Sequence, residues 1–235
     1  MALPKLSVPQ YMVELPSTGE KISMRPYLVR EEKVLLVALE SKDPVQIQQA
    51  VKNLIMSCCD LKDVSKLTSF DLEFLFLNLR AKSVGEKIKM MMKCDECETL
   101  NDIEINIDDV KVSNLDREKT FMLDQQKKIG MTLRYPTLNS IEDIDLTKLD
   151  TVDGLMNLVV SSIETIFDED NVYNADEETK EDLEDFVESF GSEQFKMIQE
   201  FFLNVPAMVY EDKFNCKNCQ HENTISLKGL QSFFT

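Results

Sequence analysis

Two cysteine pairs, Cys94-Asp95-Glu96-Cys97 and Cys216-Lys217-Asn218-Cys219, constrain this chain more than any other feature. A Cys-x-x-Cys on a tight turn at the end of a strand places two sulfurs on one side, where they grip a single ion. Two such turns complete a tetrahedral four-thiolate shell. The intervening residues 98–215 far exceed the roughly 15–20 that separate the pairs of a contiguous zinc ribbon, so spacing alone does not pair them. The flanks supply the argument. Asn101, Ile103 and Ile105 follow Cys97 at the offsets at which Asn223, Ile225 and Leu227 follow Cys219, and Met92 and Phe214 match upstream. Each half reads strand–knuckle–strand. A lone two-stranded hairpin with two thiolates is neither a full ligand set nor stable by itself. We therefore expect Cys94, Cys97, Cys216 and Cys219 to hold one structural Zn2+; ordinary thiols or redox dithiols are the other readings.

Composition narrows the function. The 235 residues suffice for one ordinary domain or two small ones, and 43% hydrophobic with 29% charged residues is the balance of a soluble globular protein. The net charge of −17 opposes a phosphate-covering role, because non-specific nucleic-acid affinity is built from Lys and Arg. One His and six Gly disfavour His-dependent acid–base chemistry and Gly-rich phosphate cradles. The proline-bearing N-terminus lacks the apolar core of a signal peptide, and runs such as Val34–Leu39 are too short to span a bilayer. We expect a reducing cytoplasm, which points the cysteines away from disulfides.

The pattern predicts a β-hairpin over residues 1–29, with strands Tyr11–Leu15 and Lys21–Tyr27. Helices are expected at Arg30–Ser41, from Asp43-Pro44 to Cys58, and from Phe70 to about Ala81, the last apolar nearly all round and hence central to the core. Strands follow at Lys87–Lys93, Asn101–Ile107, Thr120–Leu123 and Gly130–Tyr135. A helical region is expected over Thr137–Leu149, and an amphipathic helix through Leu155, Met156, Val159, Val160, Ile163, Ile166 and Phe167. Glu164–Glu188 carries twelve acidic residues and one lysine, and the spacing of Leu183, Phe186, Val187 and Phe190 predicts an acidic helix there. A last helix at Gln194–Leu203 precedes strands at Val209–Phe214 and Glu222–Leu227.

Other constellations fail. Cys58-Cys59 read as buried small hydrophobes. His221 stands one residue too far from Cys219 for a haem attachment pattern and reads as solvent-facing. Asp168-Glu169-Asp170 begins like a calcium loop, but Val172 and Tyr173 occupy positions needing an oxygen ligand and a turn glycine. Met90, Met91 and Met92 suit core packing on a strand better than copper. No nucleophile elbow, phosphate loop or zinc-protease motif occurs, and no enzyme is expected. A nucleic-acid-binding zinc ribbon is the alternative, resting on Lys82, Lys87, Lys89, Lys93, Lys127, Lys128 and Arg134, but no aromatic residues interleave them to stack bases.

A resemblance extends across the chain. Pro4-Lys5, Pro9-x-Tyr11, Leu15-Pro16-Ser17-x-Gly19 and Arg25-Pro26-Tyr27-x-Val29-x-Glu31-Glu32-Lys33 resemble the opening of the T4-type bacteriophage baseplate hub protein family. The segment from Phe167 to Tyr173 and the ending from Cys216 to Phe234 are similar to the same family. One departure is Glu98 and Gln220, where a zinc knuckle commonly has Gly after the second Cys. The resemblance implies a tail morphogenesis protein that acts in assembly of the baseplate central hub by chaperone-like contacts. Its partners would be other hub or tail proteins, with no membrane and no small-molecule substrate. It would act in the host cytoplasm, or in the virion tail.

The expected fold is α+β: an N-terminal β-hairpin with helices (1–85), a first zinc-ribbon half with further strands (86–135), an acidic helical insertion (136–206) and a second ribbon half (207–235). The acidic stretch is either solvated surface or a docking face for a basic partner. In the second case Phe167, Val172 and Tyr173 would anchor the partner, and Glu177, Glu178, Glu181 and Asp182 would steer it.

Overall fold

The computed structural model describes residues 6–116, 118–142 and 152–233. Among them are seven α-helices and four small antiparallel sheets. The chain divides into two compact units. The first comprises the chain up to Val64, Phe70–Ser113 and the chain from Ala207; the second comprises Ser65–Ser69 and Asn114–Pro206.

The first unit opens with the hairpin of β1 (Tyr11–Glu14) and β2 (Lys21–Met24), in register Tyr11↔Met24 to Glu14↔Lys21. Gly19 closes its turn at φ +72°, a conformation open to glycine at no steric cost. The turn is tied inward. Ser17 donates from its backbone N–H (3.1 Å) and its hydroxyl (2.5 Å) to the Asp71 carboxylate, which is 1% exposed in the first turn of α3 (Ser69–Ser83). The Leu-Pro-Ser-x-Gly motif is thus a clasp between hairpin and helix. As its composition predicts, α3 is the core helix: Phe70, Leu72, Leu75, Phe76, Leu77 and Leu79 are all buried.

Helices α1 (Val29–Ser41) and α2 (Pro44–Cys58) fall where the periodicity puts them. Asp43 caps α2 by accepting the Val45 N–H at 2.9 Å, with Pro44 in the first turn. Cys58 and Cys59 are buried, and burial pushes the Cys59 thiol up to about 12. The chain between β2 and α1 is held by Glu31, which accepts from the Leu28 N–H (2.6 Å), Arg30 Nε (2.7 Å) and Arg25 Nη2 (3.2 Å). Arg25 Nη2 also donates to the Ser57 carbonyl of α2 at 2.8 Å.

The same unit holds two long antiparallel hairpins. One pairs β3 (Lys87–Lys93) with β4 (Leu100–Asn106); the other pairs β10 (Met208–Asn215) with β11 (Glu222–Lys228), and β5 (Lys111–Val112) extends the second along β10. Met90 is buried on β3, whereas Met91 points outward at 67% exposure, as strand alternation demands.

In the second unit β6 (Thr120–Asp124), β7 (Ile129–Leu133), β8 (Ile163–Phe167) and β9 (Val172–Asn174) form one antiparallel sheet in that order. Helices α4 (Leu138–Glu142), α5 (Val152–Ser162), α6 (Lys180–Glu188) and α7 (Ser192–Leu203) complete it. Phe201 of α7 stacks on Tyr135 at 5.6 Å and meets Phe121 edge-on at 5.7 Å.

Two expectations need correction here. The amphipathic helix predicted through Phe167 stops at Ser162, and Ile163–Phe167 turns into the strand that covers the second edge of β7. Ile163, Thr165, Ile166 and Phe167 favour a strand, and the ladder supplies partners that a helix would have denied β7. The acidic stretch Glu164–Glu188 is likewise not one helix: only Lys180–Glu188 is α-helical, a 3-10 turn at Ala175–Glu177 precedes it, and β8 and β9 form a hairpin before that. Its turn is the calcium-like Asp168–Asn171 segment, where Asp168 Oδ1 accepts the N–H groups of Asp170 and Asn171, each at 2.8 Å. Of the predicted helical region Thr137–Leu149, Leu138–Glu142 is helical and the remainder from residue 143 lies outside the described residues.

Burial alone would raise the Glu31 carboxyl, but hydrogen bonds from Arg30, Leu28 and Arg25 outweigh it and hold the group to about 2 against an ordinary 4.5. A carboxyl depressed in the folded state stabilises above its unfolded value and loses that contribution as pH falls toward its folded value. Glu31→Gln should therefore cost about 1–3 kcal/mol at neutral pH. The gap from the parent protein should close between pH 4.5 and 2 in urea titrations.

Candidate metal centre

Each Cys-x-x-Cys sits on the turn between the two strands of a long hairpin, and the two turns are built alike. In the first, the Cys94 N–H donates to the Thr99 carbonyl and the Glu98 N–H to the Cys94 carbonyl, both at 3.0 Å; in the second, Cys216 and Gln220 donate to His221 and Cys216 at 2.9 and 3.0 Å. Glu98 and Gln220 take the left-handed conformation, with φ 55° and 61°. The tight turn is thus made without the customary glycine, at a conformational cost. The ladders match as well, Met92 facing Asn101 in one arm and Phe214 facing Asn223 in the other.

The two turns bring four sulfurs together. Cys94 Sγ lies 3.6 Å from Cys219 Sγ, and Cys97 Sγ lies 3.6 Å from Cys216 Sγ. All four sulfurs fall within 4.8 Å of one another. Tetrahedral sulfurs about 2.3 Å from a central ion stand about 3.8 Å apart, so the cluster has the size of a coordination shell. A disulfide would need about 2.05 Å, and all four cysteines are free.

The electrostatics agree. Hydrogen bonds from the Thr99 hydroxyl, the Thr99 N–H and the Asn218 amide hold the Cys97 thiol down to about 5. The Cys219 and Asn218 N–H groups hold Cys216 below its ordinary value. At Cys219 the His221 N–H pulls down, but desolvation and the neighbouring sulfurs of Cys97, Cys94 and Cys216 push the thiol up to about 12. Four sulfurs this close cannot all be thiolate on their own, because like charges raise one another. A cation at their centre removes that conflict, and a metal ion fits this donor set.

Two asparagines lock the turns together. Asn101 Oδ1 accepts the Lys217 N–H in the opposite turn at 2.9 Å, while its amide donates to the Thr99 carbonyl in its own. Asn223 does the mirror of this: Oδ1 accepts the Asp95 N–H at 2.9 Å, and the amide donates to the His221 carbonyl. Asn101 and Asn223 are both buried. Sequence reasoning used these residues as markers of the repeat and missed their role as clasps. Their identical offsets from the cysteines were the available signal. His221 is exposed and outside the cluster.

Residues 8–235 match the family described as T4 bacteriophage base plate protein. The chain belongs to this family. No curated protein and no solved structure matches it. Membership bears out the resemblance carried by the N- and C-terminal motifs and makes the chain a phage baseplate-related protein. Among the described residues no helix is long and apolar enough to cross a membrane.

In this base plate chain the expected docking residues separate into two groups. Tyr173, Glu178 and Asp182 border one groove in the second unit. Val172, at 74% exposure on β9, Glu177 in a short 3-10 turn and Glu181 in the first turn of α6 do not line it. Of the apolar residues that line the groove, sequence reasoning offered Phe167 and Tyr173 as anchors and did not single out Ile129, Ile166, Leu183 or Phe186 for that role.

Replacing Asn101 or Asn223 by Ala leaves a backbone N–H of the opposite turn without its acceptor, and each change should cost about 1–3 kcal/mol. Glu98→Gly and Gln220→Gly should each stabilise by about 0.5–1 kcal/mol by relieving left-handed strain. Thermal melts of the metal-loaded protein check both signs.

Proposed function

We propose that this chain acts in assembly of the central hub of the phage baseplate through protein–protein contacts, without covalent chemistry, and that Cys94, Cys97, Cys216 and Cys219 hold a structural Zn2+. The match of residues 8–235 to the base plate family carries the reading. The four-thiolate donor set supports the structural role. It fills a tetrahedral shell and leaves no position for a reacting water. Zn2+ is favoured over harder ions because all four donors are thiolates. The partners are other hub or tail proteins, met in the host cell during assembly or in the finished tail.

The nucleic-acid alternative is weakened by its own lysines and arginine. Lys82, Lys87, Lys128 and Arg134 are each paired with a carboxylate, of Glu86, Glu104, Glu169 and Asp176. A salt-sensitive shift of DNA or RNA at submicromolar protein would reinstate it.

Protein purified without chelator should carry one zinc per chain by elemental analysis. Removing it should lower the melting temperature, and Cys94→Ser with Cys216→Ser should do both at once. A metal-free yet stable parent protein would refute the zinc assignment. Phage lacking this chain should accumulate tail precursors without hubs in electron micrographs, and normal hubs in its absence would refute the assembly role.

A further inference from the structure

The second unit carries a groove of about 280 Å³ between the β-sheet and α6. Strand alternation puts Ile129, Ile166 and Tyr173 on one face of the sheet, since Met131 pairs with Ile166 and Ile166 with Tyr173. Leu183 and Phe186, one helical turn apart on α6, supply the opposite wall. Ile129, Ile166 and Phe186 are only partly covered by the chain itself.

The rim is acidic and uncompensated. Asp168, Glu178 and Asp182 all border the groove, and among the described residues none of them is paired with a Lys or Arg. Their neighbours differ: Glu169, Asp176 and Glu184 are matched by Lys128, Arg134 and Lys180. Lys128, Arg134 and Lys180 are therefore engaged with carboxylates that do not line the groove. Tyr173 is fixed at the rim by its hydroxyl, which donates to Asp168 Oδ2 at 3.2 Å.

We propose that this groove receives a basic segment of a partner baseplate protein, with a Leu-, Met- or Phe-sized side chain seated between Ile166 and Phe186 and flanking Lys or Arg side chains against Asp168, Glu178 and Asp182. The inference rests on the assembly reading above and gives it a site. Charge complementarity selects the occupant. A second copy of this chain, itself at −17, is repelled, as is any nucleic acid. The volume lies below the roughly 300 Å³ at which pockets for drug-sized ligands begin, and suits an anchoring side chain. The buried apolar anchor sets the lifetime of the complex, while the acidic rim sets the encounter rate.

The test uses the full chain and short overlapping peptides tiled across the other baseplate proteins of the same phage. The peptides it retains should carry net positive charge and at least one large apolar residue, with affinity falling as salt rises. Phe186→Ser should weaken binding by roughly tenfold or more through faster dissociation. Glu178→Lys, at an exposed position that leaves the fold intact, should slow association by roughly tenfold and flatten the salt dependence. Retention regardless of peptide charge, or binding untouched by Glu178→Lys, would overturn the proposal. So would self-association of the parent chain that Glu178→Lys abolishes, which would assign the groove to a second copy. The two readings fail differently. Normal hubs in phage carrying Glu178→Lys, where deletion of the chain prevents them, sink the groove alone; normal hubs after deletion sink the assembly role itself.

Discussion

Cys94 and Cys97 reach Cys216 and Cys219 across a gap whose closure costs about 4 kcal/mol of chain entropy, and neither hairpin that carries them completes a ligand set alone. What holds the ends together is a reciprocal arrangement. Each turn offers two sulfurs to the shared cluster, and each arm lends an asparagine to the opposite backbone. β10 is positioned by its turn and then recruits β5 as a third strand. A metal bound at the centre would convert four competing thiols into one closed shell, and its binding free energy would then be folding free energy.

Helix α3 gives the same unit its second anchor. Its apolar surface is buried nearly all round, and its N-terminal half carries two carboxylates used inward, Asp71 in the first turn and Glu73 just after it. Asp71 takes the hairpin turn through Ser17, and Glu73 Oε2 accepts the Met208 N–H at the start of β10 at 3.2 Å. A carboxylate taken out of water is costly unless hydrogen-bonded; buried Asp71 and half-buried Glu73 each tie a distant segment to the helix. The motifs that carry the family resemblance thereby acquire physical meaning: Leu-Pro-Ser-x-Gly and Arg-Pro-Tyr-x-Val-x-Glu are fastening points of the scaffold.

The functional picture separates along similar lines. The four-sulfur cluster is closed and belongs to the fold, while the acidic groove of the second unit is open and has surface to offer. The proposed association would draw on that open face, where apolar area and unmatched charge are available to a partner.

The sequence by itself determined the elements whose cause is local or repeated. The periodicity of α1 and α2, the Asp43-Pro44 start, the all-apolar α3 and the duplicated strand–knuckle–strand pattern were legible because each is written within a few residues. The four-cysteine cluster was legible for one further reason, the matching offsets of Asn101 and Asn223. Tertiary structure decided the rest. Ile163–Phe167 continues a helical spacing yet becomes a strand, because β7 has a second edge to satisfy and a short apolar run fits either period. The acidic stretch divides into hairpin and helix for the same reason, with Asp168 making the turn. The groove was invisible in sequence because Ile129, Ile166 and Phe186 come from three separate elements. Only the pairing of strands and the docking of α6 place them side by side, and no spacing rule encodes a contact made through space.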